Sequence, residues 1–154
     1  MFQILLYMKR IIYCYILILA IITYSCKTEQ NTPPWIAVNS GLPSPVTITA
    51  LAINGNNIFA GTNNGVYLST NNGTNWTVLN NGLPAINIYA LFIYGNNIFA
   101  GSYENVSLSK NNGNNWTDVN IGLPAYNVTS FACNSSYVFA GTGNGVYRQL
   151  MTAF

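Results

Sequence analysis

The sequence predicts an all-β fold of about three repeats of four short strands each, and three observations predict it. Residues 69–76, Ser-Thr-Asn-Asn-Gly-Thr-Asn-Trp, return at 109–116 as Ser-Lys-Asn-Asn-Gly-Asn-Asn-Trp. Segments opening on Trp35, Trp76 and Trp116 each run on to Gly-Leu-Pro, at 41–43, 82–84 and 122–124, which sets a cycle of about 40 residues. Between these landmarks the apolar residues fall in runs too short for helices and show no 3.6-residue period.

The chain opens on a helical leader. Lys9 and Arg10 precede an apolar stretch at 11–24, followed by Ser25-Cys26-Lys27. A positive start, a short apolar stretch and a small residue before the junction are the parts of a secretory signal, here residues 1–26. The apolar run is shorter than the roughly 20 residues of a spanning helix, although residues 4–8 extend it, so an uncleaved anchor is the second reading. Met8 begins a signal of more usual proportions than Met1 does. The Ser-Cys junction resembles the lipobox of bacterial lipoproteins, which implies lipidation of Cys26 and a place in the bacterial cell envelope. Thr23 and Tyr24 depart from that pattern, which leaves simple secretion open. Residues 27–34, ending in two prolines, read as a linker that holds a domain off a membrane.

Residues 35–154 hold the repeats. After each Gly-Leu-Pro come two apolar runs, 48–53 then 58–60, 88–93 then 98–100, and 128–133 then 137–140. The turns between them, such as Asn54-Gly55-Asn56-Asn57, suit hairpins. Third strands are expected at 65–69, 105–109 and 145–148, and the Trp segments supply the fourth. Four strands per unit in a repeat of this length define a propeller-like array of blades. First strands so apolar fit blades covered on both faces by neighbours.

The hairpin between the third and fourth strands has a mechanical reading. Asn71 and Asn111 bond back to the turn backbone, Gly73 and Gly113 accept a positive φ, and Trp76 and Trp116 pack beneath. Ser69 and Ser109 open the two turns. This pattern resembles the Asp-box, Ser-x-Asp-x-Gly-x-x-Trp, of BNR-repeat propellers. Such repeats occur in sialidases, sortilin-type receptors, photosystem assembly-factor-like proteins and bacterial cell-surface propellers, so the resemblance implies a fold more than a function. Asn in place of Asp at 71 and 111 keeps the acceptor and removes the charge.

Composition narrows the function. Charged residues are 5% of the chain, against roughly 25% in ordinary soluble domains. The formal net charge of +2 disappears once Lys9 and Arg10 leave with the leader. Scattered cations at 27, 110 and 148 form no basic stripe, so nucleic acid is set aside as a partner. There is no histidine, the usual general base and commonest metal ligand, and neither a cofactor nor a metal site is expected. Resemblance to sialidases would imply three arginines on a substrate carboxylate. The chain past the leader holds Arg148 alone, with Glu104 and Asp118 in different parts of the blade. A glycan-directed hydrolase remnant is therefore the lesser reading, and no enzymatic activity is expected. Cys133 aligns with Ile53 and Ile93 and reads as a small core residue.

Binding is expected on the loops that differ most between repeats, those between second and third strands and those after Gly-Leu-Pro. Asn64, Tyr103, Glu104, Tyr126 and Asn144 are the candidates, for a protein or glycan ligand. The tryptophans repeat too strictly to be a stacking row for sugar, and the Asn-x-Ser/Thr triplets follow from composition. A purely structural repeat module is the third reading.

Closure is unresolved at this level. The array opens on a fourth strand at Trp35 and stops following the pattern after Arg148, giving about three blades where rings have about four to eight. A homodimer completing a six-bladed ring, a shortened and open arc, and a compact monomer all remain.

Overall fold

The computed structural model describes residues 34–103, 105–120, 122–124 and 127–154. The leader with Cys26, most of the linker, Glu104 and Tyr126 lie outside the described residues. The chain divides into two compact units, Met1–Ile36 and Ala37–Phe154. Of the first, Trp35 and Ile36 are exposed and belong to no strand.

The second unit is all-β, as the repeat predicts. Its first sheet runs β1 (Ile48–Asn54), β2 (Asn57–Thr62), β3 (Gly65–Ser69) and β4 (Thr77–Val78). The next repeats that order as β5 (Ile88–Tyr94), β6 (Asn97–Ser102), β7 (Val106–Ser109) and β8 (Thr117–Asp118). The last has three strands, β9 (Val128–Cys133), β10 (Tyr137–Thr142) and β11 (Gly145–Leu150), followed by a 3-10 turn at Met151–Ala153. All pairings are antiparallel between sequence neighbours, in matching registers such as Phe59 opposite Leu68 and Phe99 opposite Leu108. Each sheet is thus one blade, and the first strands lie side by side, β1 against β5 and β5 against β9.

Two expectations need correction. The fourth strands are only two residues long, and the tryptophans stand outside them. The backbone N–H of Trp76 donates to the Ser40 carbonyl and that of Trp116 to the Asn81 carbonyl, each at 2.9 Å, so these amides pair with the preceding repeat and not with their own third strand. Residues 34–39 likewise form no strand, because no described strand pairs with them. The second correction concerns cover on both faces. It holds for the middle blade, where Ile88 is 1% exposed, but its counterpart Ile48 in the first blade is 42% exposed. An array of three blades has neighbours on both sides only in the middle.

Close approach between blades depends on two glycines. A Cβ on Gly61 would lie 2.9 Å from Cγ2 of Ile88, and one on Gly101 would lie 2.8 Å from Cγ1 of Val128 and 2.9 Å from its carbonyl oxygen. Apolar residues then fill each junction. Phe59, Val66, Ile88, Ile98, Ala100 and Trp116 form the core between the first two blades. Phe99, Val106, Leu108, Val128 and Ala140 form the next. The Thr49 hydroxyl bonds the Gly61 carbonyl at 2.9 Å and also reaches the Ile88 carbonyl, tying β1 to the following blade. Cys133 is half-buried and is not in a disulfide.

Candidate functional site

The turns between third and fourth strands are built as the sequence predicts, twice over. Ser69 is fully buried, and its hydroxyl oxygen accepts from the Gly73 N–H at 2.9 Å while its O–H donates to Asn71 Oδ1 at 2.9 Å. Asn71 Oδ1 also accepts from the Asn75 N–H at 2.9 Å. Ser109, Gly113, Asn111 and Asn115 repeat this at 2.8, 3.0 and 2.9 Å. Gly73 and Gly113 have φ of 82° and 83°, and Asn72 and Asn112 also sit at positive φ. The serine hydroxyl, the asparagine Oδ1 and the backbone amides thus satisfy one another within the turn.

Beneath each turn the indole reaches out of its own repeat. Trp76 Nε1 donates to the Val38 carbonyl at 2.7 Å, and Trp116 Nε1 to the Leu79 carbonyl at 2.8 Å. Spacing gives no hint of this bond, since it crosses between blades.

Antiparallel pairing puts the turns between second and third strands at the opposite end from these clamps. There each turn is closed by a hydroxyl. Thr62 Oγ1 donates to the Gly65 carbonyl at 2.9 Å and accepts from the Asn64 N–H at 2.9 Å. Thr142 does the same with Gly145 and Asn144 at 3.0 and 3.2 Å, and the Ser102 hydroxyl bonds the Asn105 carbonyl at 3.3 Å. The segments after Gly-Leu-Pro lie beside them: the Asn63 N–H donates to the Thr47 carbonyl, and the Gly143 N–H to the Asn127 carbonyl, each at 3.3 Å. The two loop sets named from the sequence therefore share one end of the array.

Of the candidates, Tyr103 is 55% exposed on this end. Asn64 and Asn144 occupy equivalent places in their turns. The Asn64 carbonyl accepts from Asn80 Nδ2 at 2.9 Å, while Asn80 Oδ1 accepts from the Val66 N–H at 2.9 Å. Asn80 thus fastens the fourth-strand segment to the loop. Sequence reasoning passed over it, although asparagine recurs four residues after each tryptophan, as Asn39, Asn80 and Asn120.

Charge is sparse here. Asp118 Oδ1 accepts from the Asn120 N–H at 2.9 Å, Lys110 Nζ donates to the Phe154 carbonyl oxygen at 2.7 Å, and the Arg148 guanidinium lies 4.5 Å from the Tyr137 ring centre. No cluster of three or more metal-ligating side chains occurs among the described residues. A cavity of about 180 Å³ lies between the second and third blades, with Phe99, Val106, Val119, Leu123, Phe131 and Phe154 on its apolar side and Arg148 and Gln149 on its polar side. Its apolar walls are the repeat counterparts of Phe59, Val66, Leu79, Leu83 and Leu91, the residues around Trp116 one blade earlier. Phe154 fills part of that place, edge-on to Phe99 at 5.1 Å.

Blades of this order and connectivity, stacked through their first strands, define a β-propeller domain. The chain belongs to the DUF6242 beta propeller domain family, which matches residues 3–144. Among solved structures it is similar to the extracellular domain of the hybrid two component system BT4673 from B. thetaiotaomicron, at 20% identity and TM-score 0.58 over 68% of this chain and 15% of that one. It is also similar to the GH74 enzyme of Niastella koreensis, at 21% identity and TM-score 0.53, covering 68% of this chain and 20% of that one. A third similarity is to the computationally designed Ika8 protein, at 19% identity and TM-score 0.52, covering 68% of this chain and 33% of that one. At such identities the likeness is one of fold, and this chain spans a third or less of each protein's length. No curated protein matches the chain.

Proposed function

We propose that this chain is a non-catalytic propeller module of the bacterial cell envelope, lipid-anchored through Cys26, which presents its loop end to a protein or glycan ligand. The observation that carries this reading is the shared end itself. Three turns closed by the same hydroxyl clamp stand beside the segments after Gly-Leu-Pro and differ in the side chains they display. A fixed backbone with varied tips is how loops on a rigid scaffold carry recognition. The exposed ring of Tyr103 offers a stacking face and a hydroxyl in one side chain.

Kinship with the BNR or Asp-box propellers is supported by the serine, asparagine and glycine contacts of both hairpins. The leader at 9–26 supports an envelope location, and one structural neighbour is itself described as an extracellular domain. Asp118, whose Oδ1 is held by a backbone amide, supports a role in closing its own turn more than one in proton transfer.

The test is binding of the full chain to a glycan array, together with capture of envelope proteins. Replacing Tyr103 and Tyr126 together by alanine is expected to weaken the selected interaction at least tenfold and leave the far-ultraviolet circular dichroism unchanged. Hydrolysis of a fluorogenic sialoside by the purified chain, or binding indifferent to both tyrosines, would overturn the reading.

A further inference from the structure

The two ends of the array are left in complementary states, and each is the counterpart of a face that is buried between blades. On the first blade Ile48, Leu51 and Ile53 are 42%, 64% and 66% exposed. Their counterparts on the second blade, Ile88, Leu91 and Ile93, are packed into the core they share with the first. On the third blade Val146 is 74% exposed, whereas its counterparts Val66 and Val106 are 0% and 8% exposed. Gly141 stands where Gly61 and Gly101 receive the branched side chain of the next blade.

A second mismatch points the same way. β3 and β7 each pair with a fourth strand, while among the described residues β11 pairs with β10 alone. The residues that would turn the chain back for one are replaced, with Gln149, Met151 and Ala153 where the earlier repeats have serine, asparagine and glycine. Beside that bare edge is the cavity whose counterpart holds Trp116, with Arg148 and Gln149 of β11 on its wall. The sequence contains one further segment in the register of a fourth strand, Trp35-Ile36-Ala37-Val38, matching Trp76-Thr77-Val78-Leu79. It leads directly into the first blade, and its Val38 carbonyl already serves Trp76 as Leu79 serves Trp116.

We propose that a second copy of this chain covers both ends, so that two three-bladed arrays close one six-bladed ring. The partner's Trp35 enters the cavity beside Phe99 and Val119 and displaces Phe154 from the part of it that Phe154 fills. The partner's Ile36 and Ala37 lie along β11 opposite Arg148 and Tyr147, as Thr77 and Val78 lie opposite Leu68 and Tyr67. The partner's Ile48 then meets Gly141. One continuous stretch of the partner makes all these contacts, and it makes them in the geometry this chain already uses twice. The interface is head-to-tail, and a two-fold axis closes the ring so that β11 gains a fourth strand and only the short inner and outer edges of the blades remain.

This inference concerns the scaffold and stands whether or not the loop end binds a ligand. Light scattering on the full chain should give the mass of two copies. Leu51→Asp alters a side chain exposed in the single copy, so its fold should be kept by circular dichroism while dimer dissociation strengthens at least tenfold. Trp35→Ala should do the same and remove a tryptophan whose fluorescence is blue-shifted only in the dimer. A folded monomer at all accessible concentrations, an open-ended polymer, or a dimer insensitive to both substitutions would overturn the proposal.

Discussion

The indole N–H of Trp116 donates to the main-chain carbonyl of Leu79 at 2.8 Å, so the side chain that seals one hairpin is held by the blade before it. Trp76 and Val38 repeat the relationship at 2.7 Å. The bond joins successive repeats through a half-buried polar pair beside an apolar junction. Loss of the donor leaves a half-buried carbonyl without this partner. Trp116→Phe is expected to lower stability by about 1–3 kcal/mol, and Trp116→Ala by about 3–5 kcal/mol because a cavity is added. Urea denaturation monitored by circular dichroism measures both.

Gly101 and Gly55 predict opposite mechanisms for the same substitution. Gly101→Ala places a methyl 2.8 Å from Cγ1 of Val128 and 2.9 Å from its carbonyl oxygen, so β9 must move off the second blade. Overpacking of this kind costs about 1–3 kcal/mol. Gly55→Ala meets no atom within 4 Å, and its cost of about 1 kcal/mol comes from φ of +58° alone. Thermal unfolding of the two variants should rank them in that order.

Ser69 and Asn71 separate hydrogen bonding from charge in the hairpin. Ser69→Ala orphans the buried Gly73 N–H and should cost about 1–3 kcal/mol. Asn71→Asp keeps the acceptor for the Asn75 N–H and the Ser69 hydroxyl, so stability at neutral pH should change by less than about 0.5 kcal/mol. A large loss in the second variant would show that the amide, and not the acceptor, holds the turn.

Asn80→Ala should loosen the loop end without dismantling the blade. Two bonds at 2.9 Å, to the Val66 N–H and the Asn64 carbonyl, are removed together. Hydrogen exchange is expected to accelerate at Val66 and its neighbours in the turn, while protection of β2 beyond Gly61 persists.

The hairpin clamp was legible because every part of it lies within eight consecutive residues. Serine, asparagine and glycine at those offsets satisfy one another locally, so spacing alone predicts the turn, whereas the N–H groups of the tryptophan are taken up by the preceding repeat. The loop end was legible in outline, since the repeat places the variable segments together once the strands alternate. Asn80 was not, because its partners lie 14 and 16 residues away across the sheet. Nor were the short fourth strands, whose tryptophan amides are diverted to carbonyls of the preceding repeat.

The sequence by itself determined the all-β blade, its period and its clamps, because these depend on local backbone preference and on apolar runs recurring at one spacing. Only the tertiary structure decided which apolar faces are covered. Ile48 and Ile88 are the same residue at the same place in the repeat, yet one is exposed and the other buried. Burial is a property of what stands alongside, and in a three-bladed array the middle blade alone has a neighbour on each face.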